Sequence, residues 1–380
     1  MARLIAIEDL AGPSVAGRGG HAMHVLQILE GLRRLGHDVL FLEFLEERPT
    51  PEVAAAFRAT LGDRPGALLD ATTGKSFAGL ARDDVAAFAA RADAVISLAA
   101  HYRREPWPLL EAVRPRILIE TDPAYTHLWV ADGDPLDIFG EHDVHFTVGA
   151  NVGTPRSPIP TCGIEWRALW PPVVLDWWPG DAALERDRFT TVGAWRDYGY
   201  LELGGETYGP KVEEFAKFMD LPRVAGEELE LTLAIDPEDP DREMLLTHGW
   251  RLEPPSRVDT RERYRGYVAG SLGEFSCAKG GYVGTRSGWF SDRSACYLAA
   301  GRPVVLQSTG FEDVLPVGEG AFAVRDMAEA AAAMAEIRGD YTRHARAARE
   351  LAREFFDADR LLAEMLAASG LEARGSEVAR

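Results

Sequence analysis

The stretch LIAIEDLAGPSVAGRGGHAMHVLQILEGLRRLGHDVLFLEF, residues 4–44, indicates the fold class. It begins with the apolar strand LIAIE, continues through a loop rich in glycine, and becomes a helix with apolar residues on one face: Val25, Leu26, Leu29, Leu32 and Leu35. Gly36 ends this helix, and a second buried strand follows at 39–44. A strand, a helix and a strand in this order form a parallel βαβ unit.

The same alternation continues along the chain. Further strands are predicted at 94–98, 116–120 and 144–148, and helices near 52–61, 83–91 and 106–113. Residues 155–179 are rich in proline and tryptophan, a composition typical of a connector. A second series follows, with strands at 189–193, 229–235, 250–253, 274–278, 303–307 and 321–324, helices near 210–220, 239–247, 259–269 and 291–300, and an alanine-rich helical end at 326–370.

Two tandem domains account for this order of elements. We predict an α/β fold of two Rossmann-like, doubly wound domains that face a central cleft. The expected parts are an amino-terminal domain at 1–175, a second domain at 176–355, and a terminal helix and tail at 356–380 that packs back on the first domain. Ligands of such sheets bind at the carboxyl ends of the strands, so the loops after the strands carry the candidate chemistry.

The composition favours a soluble, cytoplasmic protein. Its 380 residues carry a formal net charge of −19, which disfavours general binding to nucleic acids or anionic membranes. No segment approaches the roughly 20 continuous apolar residues of a membrane span, and the start MARLIAIEDL lacks the features of a signal peptide. Cys162, Cys277 and Cys296 lack zinc-ligand spacing, so we expect reduced thiols.

The loop between the first strand and its helix is a candidate ligand loop. Three glycines would let its backbone approach a ligand at the helix N-terminus: Gly17, Gly19 and Gly20. Their spacing is GxGG rather than GxGxxG, which argues against a dinucleotide such as NAD. His21 is placed for acid–base chemistry, whereas His24 fits an ordinary helix histidine better than a metal ligand, because no third ligand is visible.

Two polar residues follow other strands of the first half. His101 comes after the strand at 94–98 and Asp122 after the strand at 116–120, so both fall at the carboxyl edge of the sheet. Asp122 is a candidate catalytic residue and His101 a candidate cleft residue. An ordinary loop or capping role explains each of them equally well.

Two apparent motifs are rejected. TTGKS, residues 72–76, lacks the earlier glycine that a phosphate-binding P-loop requires. Asp132, Gly133 and Asp134 form a DxD sequence, but it lies in a polar turn before a proline. We therefore expect no bound metal.

Basic residues and serines gather at two places in the second half. Arg196 follows the strand at 189–193, and Lys211 begins the next helix, so the two cations could converge on a diphosphate. The segment AKGGYVGTRSGWFSDRS, residues 278–294, supplies further candidate ligand contacts: Lys279, Arg286, Ser287, Asp292, Arg293 and Ser294. It leads into the helix at 291–300, whose free N–H groups would attract an anion, although a serine-capped helix without a ligand explains part of the pattern.

The segment CYLAAGRPVVLQSTGFEDVLPVGEG, residues 296–320, resembles the EAxxxGxPVV region of GT-B type glycosyltransferases. The glycine loop after the first strand and the connector near 155–180 extend the resemblance over nearly the whole chain. The resemblance implies the GT-B fold, a nucleotide diphosphate sugar bound by the second domain, an acceptor bound by the first, and neither a metal nor another cofactor.

The resemblance also implies roles for single residues. Arg196 and Lys211 fall at the Arg/Lys pair that neutralises the diphosphate, and Thr309 and Gly310 belong to the loop after the following strand.

The two glutamates of the family are replaced in this chain. Their positions are occupied by Gly288 and Cys296. Asp292 lies one helical turn before Cys296 on the same face, so it is the expected replacement for the ribose contact.

The sequence hypothesis is a metal-independent glycosyltransferase that moves a hexosyl or related sugar to an acceptor in the interdomain cleft. If the reaction inverts the anomeric centre, His21 or Asp122 is the expected base. Two alternatives stay open, namely a nucleotide-sugar epimerase or hydrolase of the same architecture and a non-catalytic nucleotide-binding protein. The sequence does not determine the sugar, the base, the acceptor, the stereochemistry or the oligomeric state.

Overall fold

A computed structural model describes most of the chain, at residues 1–12, 15, 17–99, 110–133, 139–140, 142–180, 182–196 and 198–371. The first half, as far as residue 168, contains β1 (Arg3–Ile7), α1 (Gly19–Arg34), β2 (Asp38–Leu45), α2 (Pro51–Leu61), β3 (Gly66–Asp70), β4 (Ser76–Gly79), α3 (Arg82–Ala89), β5 (Ala94–Ser97), β6 (Arg116–Glu120), α4 (Tyr125–Ala131), β7 (Val144–Thr147) and β8 (Trp166–Ala168). The strands form one sheet in the order β4-β3-β2-β1-β5-β6-β7-β8, which is parallel except for the β3–β4 pair.

The second half contains β9 (Arg186–Ala194), β10 (Leu201–Leu203), β11 (Glu206–Tyr208), α5 (Lys211–Ala216), α6 (Leu221–Ala225), β12 (Leu229–Ala234), α7 (Asp241–Thr247), β13 (Arg251–Glu253), α8 (Arg261–Ala269), β14 (Ser271–Ser276), α9 (Gly280–Gly284), α10 (Asp292–Ala299), β15 (Val304–Gln307), β16 (Ala321–Val324), α11 (Met327–Gly339), α12 (Tyr341–Phe355) and α13 (Ala358–Ala368). Its parallel sheet has the order β13-β12-β9-β14-β15-β16, and β10 and β11 form a separate antiparallel hairpin.

Continuous apolar runs form the central strands of both sheets. Leu4, Ile5 and Ala6 of β1 are fully buried, as are Val304 and Val305 of β15. A parallel sheet with helices on both faces buries both sides of each strand, so its strands do not alternate between apolar and polar residues. The predicted α/β architecture with two parallel sheets is therefore confirmed.

The chain crosses between the halves twice. The connector residue Val173 donates its N–H to Phe356 O at 2.7 Å, and Ala358 donates its N–H to Val173 O at 3.0 Å. The crossing leads into α13, which packs on α1 so closely that a Cβ on Gly31 would lie 2.5 Å from Leu362 Cδ1. The carboxyl-terminal helix thus packs on the first half of the chain.

Several short elements were not predicted. The TTGKS segment is the turn between β3 and β4, where Asp70 Oδ1 accepts the N–H groups of Thr72 at 3.0 Å and Thr73 at 2.6 Å. The strand β8 lies inside the connector, and the hairpin β10–β11 lies within a stretch read only as loop. Of the helix expected at 106–113, the described residues 110–112 form a turn. In the described part of the chain, no helix has the length and apolar character needed to cross a membrane.

Candidate functional site

The glycines of the first loop allow close contact between the two halves of the protein. A Cβ on Gly19 would lie 2.3 Å from Val258 O, and a Cβ on Gly20 would lie 3.0 Å from the ring of Tyr264. Gly17 has a φ of +72° and faces open space apart from Asp259, at 4.0 Å. At Gly19 and Gly20 the neighbour that excludes a side chain is the second half of the chain, and the approach of a ligand to this loop stays a prediction.

Buried carboxyl groups anchor this loop and the neighbouring strand ends. Glu43 of β2 accepts the N–H groups of Ala11 at 3.0 Å and Gly12 at 2.6 Å. Burial raises the pKa of Glu43 to about 7, and it raises the pKa of Glu8 and of Glu120 to about 8. These three glutamates were not among the residues predicted from the sequence, although an acid at the end of an apolar strand recurs in LIAIE and RILIE.

His21 lies in the first turn of α1 with a defined tautomer. Its Nε2 lies 2.6 Å from Asp9 O. Since a carbonyl oxygen only accepts, Nε2 carries the proton and Nδ1 keeps a lone pair. Burial lowers the pKa of His21, and the Asp9 hydrogen bond and the negative charge of Asp292 oppose this effect only in part. A neutral ring with an available acceptor nitrogen is suited to act as a general base.

Asp122 joins the two halves of the chain. Its Oδ1 lies 2.8 Å from Lys279 Nζ and also accepts the hydroxyl of Tyr282, while Oδ2 accepts the hydroxyl of Tyr198 at 3.2 Å. The side chains of Asp122 and Lys279 are each 15% exposed. The ammonium lies 3.8 Å from the ring centroid of Tyr198 and 5.3 Å from that of Tyr125. Both carboxylate oxygens of Asp122 thus accept hydrogen bonds from groups of the second half, and its role as a base stays a prediction.

A second link lies at the loop after β7. Asn151 Nδ2 donates to the backbone oxygens of Arg286 and Gly310, both at 3.0 Å, and its N–H donates to Ser287 O at 3.0 Å. A Cβ on Gly288, which has a φ of +74°, would lie 2.7 Å from Asn151 N. This contact explains why glycine occupies the position of the first glutamate of the resemblance. No feature of the sequence indicated that Asn151 joins the two halves.

Three other predicted ligand contacts, Ser287, Thr309 and Arg286, have partners among the described residues. Ser287 Oγ donates to Tyr282 O at 3.3 Å, and Thr309 Oγ1 donates to Trp289 O at 2.6 Å. Arg286, whose side chain is 48% exposed, forms an ion pair with Asp313 at 2.8 Å. Ser287 and Thr309 therefore support the loop, and only Arg286 extends toward solvent.

Ser291 caps α10, as the sequence indicated, but the side chain of Arg293 points into the second half of the chain. Ser291 Oγ accepts the N–H of Arg293 at 3.2 Å. The guanidinium of Arg293 turns inward, where it contacts Glu274 at 2.5 Å, Ser276 Oγ at 2.6 Å and Val192 O at 2.7 Å. The charge of Arg293 therefore balances a fully buried carboxylate, and its contact with a phosphate stays a prediction.

Ser294 and Asp292 are the side chains of this tip that face possible ligands. Ser294 is fully buried, lines a small pocket with Cys277 and Gln307 at the ends of β14 and β15, and has no hydrogen-bond partner for its Oγ among the described residues. Asp292 is partly exposed. The helices that carry His21 and Asp292 contact each other, since Gln27 Nε2 of α1 donates to Cys296 Sγ of α10 at 3.6 Å.

Arg196 and Lys211 occupy different surroundings. Arg196 forms an ion pair with Asp239 at 2.8 Å and with Asp241 at 2.5 Å. Lys211 lies over the carboxyl end of β9, where a Cβ on Gly193 would be 2.9 Å from its Nζ. Of the predicted pair, Lys211 is thus the cation at the edge of the sheet, and Arg196 already has two carboxylate partners.

Other predicted residues lie outside the described part of the chain. His101 and Asp134 are among them. Asp132 follows α4 and donates its N–H to Leu128 O at 2.8 Å, so it belongs to a helix-ending turn. Among the described residues, no group of three or more histidine, cysteine, aspartate or glutamate side chains is arranged to hold a metal ion.

Comparison with solved structures identifies the architecture. Anabaena HepE, in complex with UDP and glucose, is similar at a TM-score of 0.60 and 13% identity, with 97% of this chain and 100% of that chain covered. AviGT4, a glycosyltransferase involved in avilamycin A biosynthesis, gives a TM-score of 0.56 at 14% identity over 97% of this chain and 98% of that one. An α-glucosyltransferase in complex with UDP and DNA gives 0.58 at 10% identity over 97% and 99%.

The sequence comparisons give no further assignment, because no family model and no curated protein matches the chain. The structural similarity extends over both halves and nearly the whole length of each neighbour. The chain therefore has the GT-B fold, in which two Rossmann-like domains face a cleft.

We predict that Arg293→Ala destabilises the fold rather than removing a ligand contact alone. The change leaves the buried carboxylate of Glu274 without its cation, which costs about 3–5 kcal/mol. The more exposed pair of Arg286 and Asp313 provides the control, since Arg286→Ala should cost less than about 1 kcal/mol. Urea unfolding of both variants measures the difference. An unchanged unfolding midpoint for Arg293→Ala, together with weaker nucleotide binding, would contradict this structural role and indicate a direct contact between Arg293 and the nucleotide.

We also predict that Lys279→Met opens the cleft. The change leaves Asp122 without its cationic partner from the second half, so the closed arrangement loses a buried ion pair. Small-angle X-ray scattering of the ligand-free protein should then report a larger radius of gyration. Lys217→Met is the matched control, because Lys217 pairs with Glu214 at 2.6 Å within the second half. Equal radii for both variants and the wild type would contradict a role for Lys279 in closure.

Proposed function

We propose that the protein is a metal-independent glycosyltransferase that moves a sugar from a nucleotide diphosphate donor to an acceptor in the interdomain cleft. The observation that carries the proposal is the contact between α1 of the first half and α10 of the second, where Gln27 Nε2 donates to Cys296 Sγ at 3.6 Å, with His21 and Asp292 in the first turns of these two helices. The GT-B fold supports it, since the similar structures of HepE and α-glucosyltransferase contain UDP.

The donor is assigned to the second half, for which we propose the extent 176–355. The N–H groups of the first α10 turn carry partial positive charge and favour the diphosphate. Ser294 would add a hydroxyl donor. Lys211, Lys279 and Arg286 would supply positive charge to the donor site, although Lys279 also pairs with Asp122 and Arg286 with Asp313. These fixed charges would stabilise the negative charge that develops on the leaving diphosphate, which is the task that a metal performs in other transferases.

The acceptor is assigned to the first half, residues 1–175. His21 would take the proton from the acceptor hydroxyl through Nδ1 if the reaction inverts the anomeric centre. In a retaining reaction the same nitrogen would orient the sugar instead. Asp122 acts at a distance from the chemistry by holding the two halves closed, which excludes water from the reacting groups.

A panel of nucleotide sugars tests the proposal. UDP-glucose, GDP-glucose and dTDP-glucose are incubated with the protein, with and without candidate acceptor sugars, and nucleotide release is measured. We expect release that depends on the acceptor and falls sharply in His21→Ala. Donor consumption without an acceptor would favour the epimerase or hydrolase, and binding without consumption would favour the non-catalytic alternative.

Metal independence gives a separate prediction. Because helix-tip N–H groups and lysines supply the positive charge, the rate of transfer should be unchanged by EDTA and by added Mg²⁺ or Mn²⁺. Asp132→Ala should likewise leave the rate unchanged, since Asp132 belongs to the turn after α4. Loss of activity in EDTA, with rescue by either ion, would contradict this part of the proposal.

A further inference from the structure

His24 is a buried histidine that lacks a partner in the described structure. It lies on α1, one turn after His21, and only 9% of its surface is exposed. Neither of its ring nitrogens has a hydrogen-bond partner among the described residues. Burial lowers its pKa, so the ring is neutral at pH 7 and offers one N–H donor and one acceptor nitrogen. An unsatisfied buried polar group is costly, so a ligand that supplied the missing partner would be favoured at this position.

The second half of the chain lies against this part of α1. Gln27, three residues after His24, donates Nε2–H to Cys296 Sγ at 3.6 Å. Cys296 follows Asp292 by one turn of α10, as Gln27 follows His24 by one turn of α1, so His24 and Asp292 each lie one turn before the point where the two helices touch. The side chains of His24 and Asp292 nevertheless do not hydrogen-bond each other. A group bound between them would contact both helices at once.

The chemistry of these two side chains selects a hydroxyl group. A hydroxyl both donates and accepts, so it can donate to the Asp292 carboxylate and accept from the neutral imidazole. A phosphate oxygen only accepts, so it cannot donate a hydrogen bond to the Asp292 carboxylate. Position 296 offers no carboxylate, because it is occupied by a cysteine. Cys296 is 1% exposed, and its Sγ accepts a hydrogen bond from Gln27.

We infer that His24 and Asp292 together bind a hydroxyl of the nucleotide sugar, so that residues of both halves select the donor. The inference rests on the proposed function, and it assigns to the first half a share in donor recognition. The hydroxyl belongs either to the ribose or to the transferred sugar.

His24→Phe separates this role from a structural one. The phenyl ring has a similar shape and removes both nitrogens, so the thermal midpoint of the ligand-free protein should stay equal or rise. Donor binding should weaken about tenfold, because a hydrogen-bonded contact is lost. His24→Gln, which keeps a donor and an acceptor, should recover part of the affinity and serves if the phenylalanine variant fails to fold.

The matched control is His127→Phe. His127 is fully buried beside Phe139 and Trp166, and its Nε2 also has no partner among the described residues. In His127→Phe the thermal midpoint should stay equal or rise, as in His24→Phe, and donor binding should stay at the wild-type level.

Calorimetric titrations with UDP-glucose, UDP and inorganic diphosphate identify the hydroxyl. Weaker binding of both UDP and UDP-glucose by His24→Phe assigns the ribose, and weaker binding of UDP-glucose alone assigns the transferred sugar. Equal affinities in variant and wild type, or a loss already seen with inorganic diphosphate, would overturn the inference. If the wild type binds no member of the nucleotide-sugar panel, the proposed function fails as well, which is a distinct outcome.

Discussion

The ion pair between Asp122 and Lys279 joins the carboxyl edges of two separate sheets, and the geometry of the cleft depends on it. Asp122 follows β6 and Lys279 precedes α9, 157 positions apart in the sequence. Removing two charges from water is unfavourable unless each finds good partners, and here two tyrosine hydroxyls and the face of Tyr198 supply them. Lys279 and both tyrosines lie in the second half, so Asp122 gains these partners only through contact between the halves.

The contacts around this pair also join the two halves of the chain. Asn151 satisfies three backbone groups of the second half, and Gly19 and Gly20 allow Val258 and Tyr264 to approach α1. Directional hydrogen bonds and close backbone contacts fix one relative placement of two surfaces, whereas apolar contact alone tolerates sliding. The α1 and α10 tips are therefore held at a defined separation, which a reaction between two bound substrates requires.

Burial also divides the polar residues of the cleft into two groups. Arg293 and Glu274 neutralise each other inside the second half, and Glu43 anchors the glycine loop. His21, His24, Asp292 and Ser294 instead keep hydrogen-bonding capacity that the described residues do not fully use. The first group maintains the shape of the site, and the second group carries its proposed chemistry.

The sequence by itself determined the α/β class and the central strands of both halves, because hydrophobic periodicity and glycine stops are local signals, but it did not indicate short elements such as β8 and the β10–β11 hairpin. It also indicated the helix tip at Ser291, since a cap acts within one turn. Only the tertiary structure decided which charged groups remain available. Arg293 and Asp122 looked like ligand contacts, but Glu274 and Lys279 lie 19 and 157 positions away from them. The partner of a charge is set by packing between distant segments, and no local pattern encodes that choice.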